Sequence, residues 1–117
     1  PLLNADTIDS AIEEFFHNKF DSLVSVTERH KRYFTSDGEP INHNPQNLVK
    51  TQHCKSIYEE NSCMYIFSRK VFEKNVNRIG ENPMLFPISS LEAIDIDESI
   101  DFEIAEFLMK RRNTLNR

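Results

Sequence analysis

Glycine is nearly absent from this chain. Gly38 and Gly80 are the two in 117 residues, and neither belongs to a glycine-rich loop of the kind that cradles phosphates. Tryptophan is missing altogether. The two cysteines, Cys54 and Cys63, form neither a CxxC metal pair nor a dense disulfide framework, which predicts a reducing, cytoplasmic compartment. Basic charge is in deficit: 14 Lys and Arg stand against 19 Asp and Glu, for a net charge of −5. That balance argues against nucleic acid as a partner, because a phosphate backbone is met by clustered Lys and Arg. No apolar run approaches the length of a membrane span, and the first residues lack the basic and apolar regions of a signal peptide. His17, His30, His43 and His53 are too scattered for a zinc motif.

What is present is globular in character, 38% hydrophobic and 28% charged, enough for one domain with a modest core. Pro1-Leu2-Leu3 runs almost at once into a helix with no strand before it, so the chain is expected to be a piece of a larger domain. Asp6 or Thr7 can cap that helix, and Ile8, Ala11, Ile12, Phe15 and Phe16 follow an apolar helical stripe. Residues 22–27 have the β-branched, alternating character of a strand. The segment 36–40 is turn-like, and 41–56 reads as a polar, irregular arm. Residues 63–67 predict a buried strand, Ser68 the cap of a short helix, and 84–88 a short edge strand, since Pro87 lacks an N–H for a central ladder. A last helix is predicted over 99–112, with Phe102, Ala105, Leu108 and Met109 inward and charges placed as its dipole favours. Helices interleaved with strands indicate α/β architecture.

The most informative stretch is 91–98, Leu-Glu-Ala-Ile-Asp-Ile-Asp-Glu. As a strand it would turn Ile94 and Ile96 into the core and stand Asp95 and Asp97 together on the other face. Two carboxylates so placed repel each other unless protons, cationic side chains or a metal ion offset the charge. No Lys or Arg lies between Arg78 and Lys110, so no local ion pair is available. A magnesium-binding pair serving phosphate chemistry is the sharp expectation. A solvated acidic edge leading into the next helix is the competing one, with Asp101 either adding to the field or favouring the helix start.

Arg29, His30, Lys31 and Arg32 form the concentrated basic patch. They read either as a solvated turn or as an anion-contacting arm for phosphate or carboxylate, aided by Lys50 and Arg69. Tyr33, Phe34 and Tyr58 flank the arm and suit a ligand pocket, a subunit contact or packing on their own domain. Cys63, in an apolar run, reads as a buried thiol with no activating base.

These residues resemble the acylneuraminate cytidylyltransferase (CMP-sialic acid synthetase) family over nearly the whole chain. The resemblance is carried by residues 22–27, Ser-Leu-Val-Ser-Val-Thr; by 37–42, Asp-Gly-Glu-Pro-Ile-Asn; by 58–67, Tyr-Glu-Glu-Asn-Ser-Cys-Met-Tyr-Ile-Phe; and above all by 91–97 continuing through Asp101-Phe102-Glu103-Ile104-Ala105. It implies an α/β nucleotidyltransferase-like domain with a mostly parallel sheet and a protruding dimerisation arm, here residues 28–57. It implies further that 1–117 is the carboxyl-terminal portion of the domain, without the glycine-rich, basic nucleotide loop, so that these residues alone would be inactive.

By the same resemblance, Asp95 and Asp97 match the catalytic, Mg2+-binding pair. Asn61 matches the Asn of a usual Asn-Gly dipeptide, with Ser62 in place of Gly; Gly tolerates positive φ far better than Ser. Arg29, Lys31, Arg32, Lys50, Asn61 and Arg69 are the implied substrate-binding residues. In the complete enzyme the anomeric hydroxyl of an acidic nine-carbon sugar such as N-acetylneuraminate would attack the α-phosphorus of CTP and displace pyrophosphate, in a homodimer. Kdo, legionaminic or pseudaminic acid is an alternative sugar, and a non-catalytic dimerisation module an alternative role.

Overall fold

The computed structural model describes residues 1–47 and 49–116. Leu48, inside the expected arm, and Arg117, at the end of the expected domain, lie outside the described residues. The order is helix α1 (Ala5–His17), strand β1 (Ser22–Arg29), a 3-10 turn (Thr51–His53), strand β2 (Ile57–Phe67), helix α2 (Arg69–Asn75), strand β3 (Pro83–Pro87) and helix α3 (Ser99–Leu115). The α/β class is as expected, but the sheet is mixed where a mostly parallel one was predicted. Its order is β2-β1-β3, with β1 antiparallel to β2 and parallel to β3.

β1 is the central strand, and residues 22–27 are all buried. Leu23, Ala11, Phe86 and Ile88 form the core, with Leu3, Phe15, Met64, Ile66 and Met84 packed around them. β3 is an edge strand beginning and ending in proline, which suits residues without an N–H to donate. Ser68 caps α2 by accepting from the Val71 N–H at 3.1 Å. That helix ends on Val76 in the left-handed conformation (φ 50°). No helix among the described residues is long and apolar enough to cross a membrane.

Three expectations need correction. Residues 91–97 are not a strand: 90–93 form a turn and 94–96 an irregular segment. The cause is Ser89. Its Oγ accepts from the Glu92 N–H (3.2 Å) and its carbonyl from the Ala93 N–H (3.1 Å), so a helical turn starts where the β3 ladder ends. Ile94 is consequently half-buried and Ile96 exposed. The stripe of α1 also splits, with Ala11 and Phe15 turned inward and Ile8, Ile12 and Phe16 exposed. In α3, Ala105 is buried and Leu108 and Met109 half-buried, but Phe102 is 57% exposed. The radius of gyration is 17.2 Å, against about 13 Å for a compact chain of this length; both helices have one face that the sheet does not reach.

The helix ends are fastened by distant residues. Asn4 precedes α1 without a side-chain cap bond. Glu92 supplies one instead: its Oε1 accepts from the Asn4 N–H (2.9 Å) and the Thr7 hydroxyl (2.7 Å), and its Oε2 from Ser89 Oγ (3.4 Å). A carboxylate there also favours the positive end of the helix dipole. At the other end of the chain, Arg112 of α3 donates to the Leu2 carbonyl (3.0 Å) and Asn4 Oδ1 (3.2 Å).

Burial of Glu92 disfavours its charge, but the hydrogen bonds from Thr7, Asn4 and Ser89 outweigh that and hold the carboxyl below its ordinary value of 4.5. A folded pKa below the unfolded one gives stability that is present above about pH 4.5 and is lost as pH falls through the folded value. Glu92→Gln is therefore expected to cost about 1–2 kcal/mol at pH 7. Its deficit against the wild type should shrink on acidification below pH 4.5, as read by urea denaturation across pH.

Candidate active site

The candidate site begins with alternation on the central strand. Ser25, Thr27 and Arg29 of β1 share one face, and the first two are polar yet buried. Opposite them β2 breaks register. Val24 pairs with Tyr65 and Val26 with Glu60, so Ser25 alone faces residues 61–64, which bow away from the strand. Within that bulge Ser62 takes a left-handed conformation, φ 58°. Asn61 turns back toward β1: its Oδ1 accepts from Ser25 Oγ (2.6 Å) and its Nδ2 donates to Thr27 Oγ1 (3.1 Å).

The segment after the Ser89 turn runs past the bulge and closes a cleft of about 340 Å³. Thr27, Arg29, Glu59, Glu60, Asn61, Ser62, Ser90, Ala93, Ile94, Asp95 and Asp97 line it. Asp95 and Asp97 thus share a cleft although they do not sit on a strand. Asp95 Oδ1 accepts from the Ile96 N–H at 3.0 Å. Asp101 caps α3, its Oδ2 accepting from the N–H groups of Asp97 (3.1 Å) and Glu98 (2.9 Å); this fixes the backbone of Asp97 and answers what Asp101 does. Among the described residues no ion pair engages either Asp95 or Asp97.

Of the other residues singled out from the sequence, Arg29 and Asn61 line this cleft, Arg29 with its Nε on Glu59 Oε2 at 3.1 Å. Lys31, Arg32, Lys50 and Arg69 do not. Lys31 and Lys50 are exposed, and Arg32 donates to the Val49 carbonyl at the base of the arm. Arg69 opens α2 on the surface, paired with Glu73 at 2.7 Å. The arm itself folds on Asn42, which is buried, accepts from the Tyr33 N–H and donates to the carbonyls of Lys31 and Lys55. Thr27, Glu59 and Glu60 were not singled out from the sequence, and Ser62 was noted there only as a departure from glycine. The signal available for Thr27 was its period-2 spacing with Ser25 and Arg29, which puts three polar residues on one face of β1.

Asp95 and Asp97 offer hard oxygen ligands, beside Glu59 and Glu60, in a cleft where Arg29 is already paired. Among the described residues no three His, Cys, Asp or Glu side chains gather closely enough to hold a metal ion. Two carboxylates with remaining positions left to water and phosphate oxygens fit Mg2+, which is commonly held that way. Cys63, half-buried, is not activated as a nucleophile by these surroundings. Burial, and after it the negative charge of Asp95, push its thiol up, and its Sγ lies 3.8 Å from the Glu92 carbonyl. In native chain at pH 8, alkylation of Cys63 by iodoacetamide is expected to be several-fold slower than after denaturation, as followed by peptide mass spectrometry; equal rates would contradict this environment.

No family model matches the chain. It is 33% identical to the post-translational flagellin modification protein B of Campylobacter coli, over 97% of this chain and 50% of that protein. It is 30% identical to the CMP-N,N'-diacetyllegionaminic acid synthase of Campylobacter jejuni, over 78% of this chain and 40% of that protein. Against the N-acylneuraminate cytidylyltransferase B of Danio rerio the identity is 26%, over 91% of this chain and 26% of that protein. The chain spans half or less of the length of these relatives. Taken with the segments that carry the resemblance, the chain belongs to the cytidylyltransferase family.

Proposed function

We propose that this chain supplies the cation-binding and sugar-facing side of a site that transfers a cytidylyl group from CTP to an acidic nine-carbon sugar, with release of pyrophosphate. The observation that carries the reading is the cleft that gathers Asp95 and Asp97, unpaired among the described residues, beside Arg29 and the bulge of β2. An N-acylneuraminate, such as N-acetylneuraminate, and a legionaminic acid are the sugars favoured, because one relative is named for N-acylneuraminate and one for a diacetyllegionaminic acid. Kdo and pseudaminic acid stand as alternatives to be tested beside them.

In this reading Asp95 and Asp97 hold Mg2+, which when bound lowers the charge repulsion between nucleophile and phosphates and favours deprotonation of the attacking hydroxyl. Asp101 keeps the Asp97 backbone in place through its bond to that N–H. Arg29 is a candidate to hold the sugar carboxylate by exchanging its pairing with Glu59 for a bidentate one. Lys31, Arg32, Lys50 and Arg69 are further candidates, which would act from the arm or from a second copy. The arm, residues 28–57, is the proposed dimer contact; Phe34 and Ile41, both more than half exposed, are among the apolar residues it offers. CTP would be held largely by segments other than these residues, which have no glycine-rich loop. A reducing, cytoplasmic setting accords with two cysteines that form no disulfide.

The test is cytidylyl transfer by protein expressed from the whole reading frame. Asp97→Ala is expected to lower turnover by about 100-fold or more, with the circular dichroism spectrum unchanged; near-normal Mg2+-dependent kinetics would refute the assignment. Offered the four sugars in turn, the protein should turn over N-acetylneuraminate or a legionaminic acid fastest. Transfer to none of them would favour a non-catalytic dimerisation module. The 117 residues alone are expected to show no turnover.

A further inference from the structure

The amide of Asn61 is committed inward. Besides accepting from Ser25 Oγ and donating to Thr27 Oγ1, it accepts at Oδ1 from the Cys63 N–H at 3.3 Å. A backbone N–H can only donate, so this bond fixes which end of the amide is oxygen. Ser25 is itself anchored, its Oγ accepting from the Met64 N–H at 2.9 Å. The set spans the bulge from both ends, joining residues 61, 63 and 64 of β2 to Ser25 and Thr27 of β1. Between its anchor points sits Ser62, with a positive φ that L-residues other than Asn and Asp seldom adopt. Ser62 lines the same cleft as Asp95 and Asp97.

We propose that Asn61 is a positioning residue of this cleft: it braces the β2 bulge against Ser25 and Thr27 and so holds Ser62, and the wall facing Asp95 and Asp97, in a left-handed conformation that serine would otherwise leave. The inference rests on the cytidylyl-transfer reading for the purpose of the cleft, though not for the existence of the brace. It assigns Asn61 an action through the backbone in place of contact with substrate. It also explains how serine is accommodated where the bulge asks for a residue at ease with positive φ. Glycine there would need no brace, because it reaches that conformation without steric cost.

The test uses the whole reading frame and the variants Asn61→Ala, Ser25→Ala, Ser62→Gly and their pairwise combinations. Mn2+ binding is read by electron paramagnetic resonance, with kcat and KM for the sugar and melting temperature measured alongside. Asn61→Ala and Ser25→Ala are each expected to weaken Mn2+ binding about tenfold, the usual scale for a residue supporting a ligand, and to lower kcat with the sugar KM little changed. The Asn61→Ala/Ser25→Ala pair should be no worse than the weaker single variant, and adding Ser62→Gly to Asn61→Ala should restore most of the Mn2+ affinity. Additive losses, no restoration by glycine, or a rise in sugar KM alone with normal Mn2+ binding would each overturn the proposal. If the wild type neither binds Mn2+ nor transfers cytidylyl groups, the functional reading fails by itself. The brace is then judged by melting temperature, where non-additive losses support it and additive losses overturn it. Should Ser25→Ala not fold, Thr27→Val takes its place in the cycle.

Discussion

Everything in this chain hangs on one strand bonded along both of its sides. β1 gives its hydrogen bonds to β2 on one flank and to β3 on the other. Its apolar residues Leu23, Val24 and Val26 are buried together with Ser22, Ser25 and Thr27. Buried hydroxyls are tolerable only if each finds a partner, and here the partners decide the rest. Ser22 Oγ donates to Asp21 and accepts from the Gly80 N–H, which fixes the loop entering β3. That loop also favours Gly80 itself, since a Cβ there would run into the Asp21 carboxylate, which the N–H groups of Glu81 and Asn82 hold in place. Ser25 and Thr27 engage Asn61 and set the bulge. The polar minority of the strand thus places both neighbours.

That the cleft forms where it does follows from two departures from regular structure on either side of β1. β2 bows out at residues 61–64, and the chain after β3 turns at Ser89 before it can extend the sheet. Each departure has a local cause in side-chain bonds to backbone, from Asn61 in one case and Ser89 in the other. Acidic residues then collect in the opening, with Arg29 tied to Glu59. The proposed cation, and the cytidylyl transfer it would serve, both depend on that opening.

Much of this was legible in the sequence. The existence of α1 and α3 followed from periodicity, although the caps expected at Asp6 or Thr7 lie inside α1, which begins after Asn4, and α3 runs past Arg112 to Leu115. β1 followed from its β-branched alternation, the cap of α2 from Ser68, and the edge position of β3 from Pro87. That Asp95 and Asp97 lie near each other, here as lining of one cleft, was anticipated on a wrong premise, that of a strand. Period-2 spacing and an irregular extended segment look the same in a string of letters, and the deciding group was a serine hydroxyl preceding them. Phe102 was misplaced for a different reason: its helical spacing with Ala105 marks a shared side of α3, but nothing in the pattern says how far the sheet reaches across that side. The substitution of serine for glycine at 62 was visible as an anomaly, and only the coordinates show φ 58° there.

The two rims of the sheet are unequal, and this has a directional result. On the β3 side, Pro83 and Pro87 lack N–H groups, so that rim is a poor template for another ladder. On the β2 side, residues 57–67 present a longer rim free of proline, guarded at Glu59 and Glu60 by like charges that deter casual pairing between molecules. Any polypeptide that enlarges this sheet is steered to accrue beyond β2, and it must tolerate two negative side chains as the condition of entry.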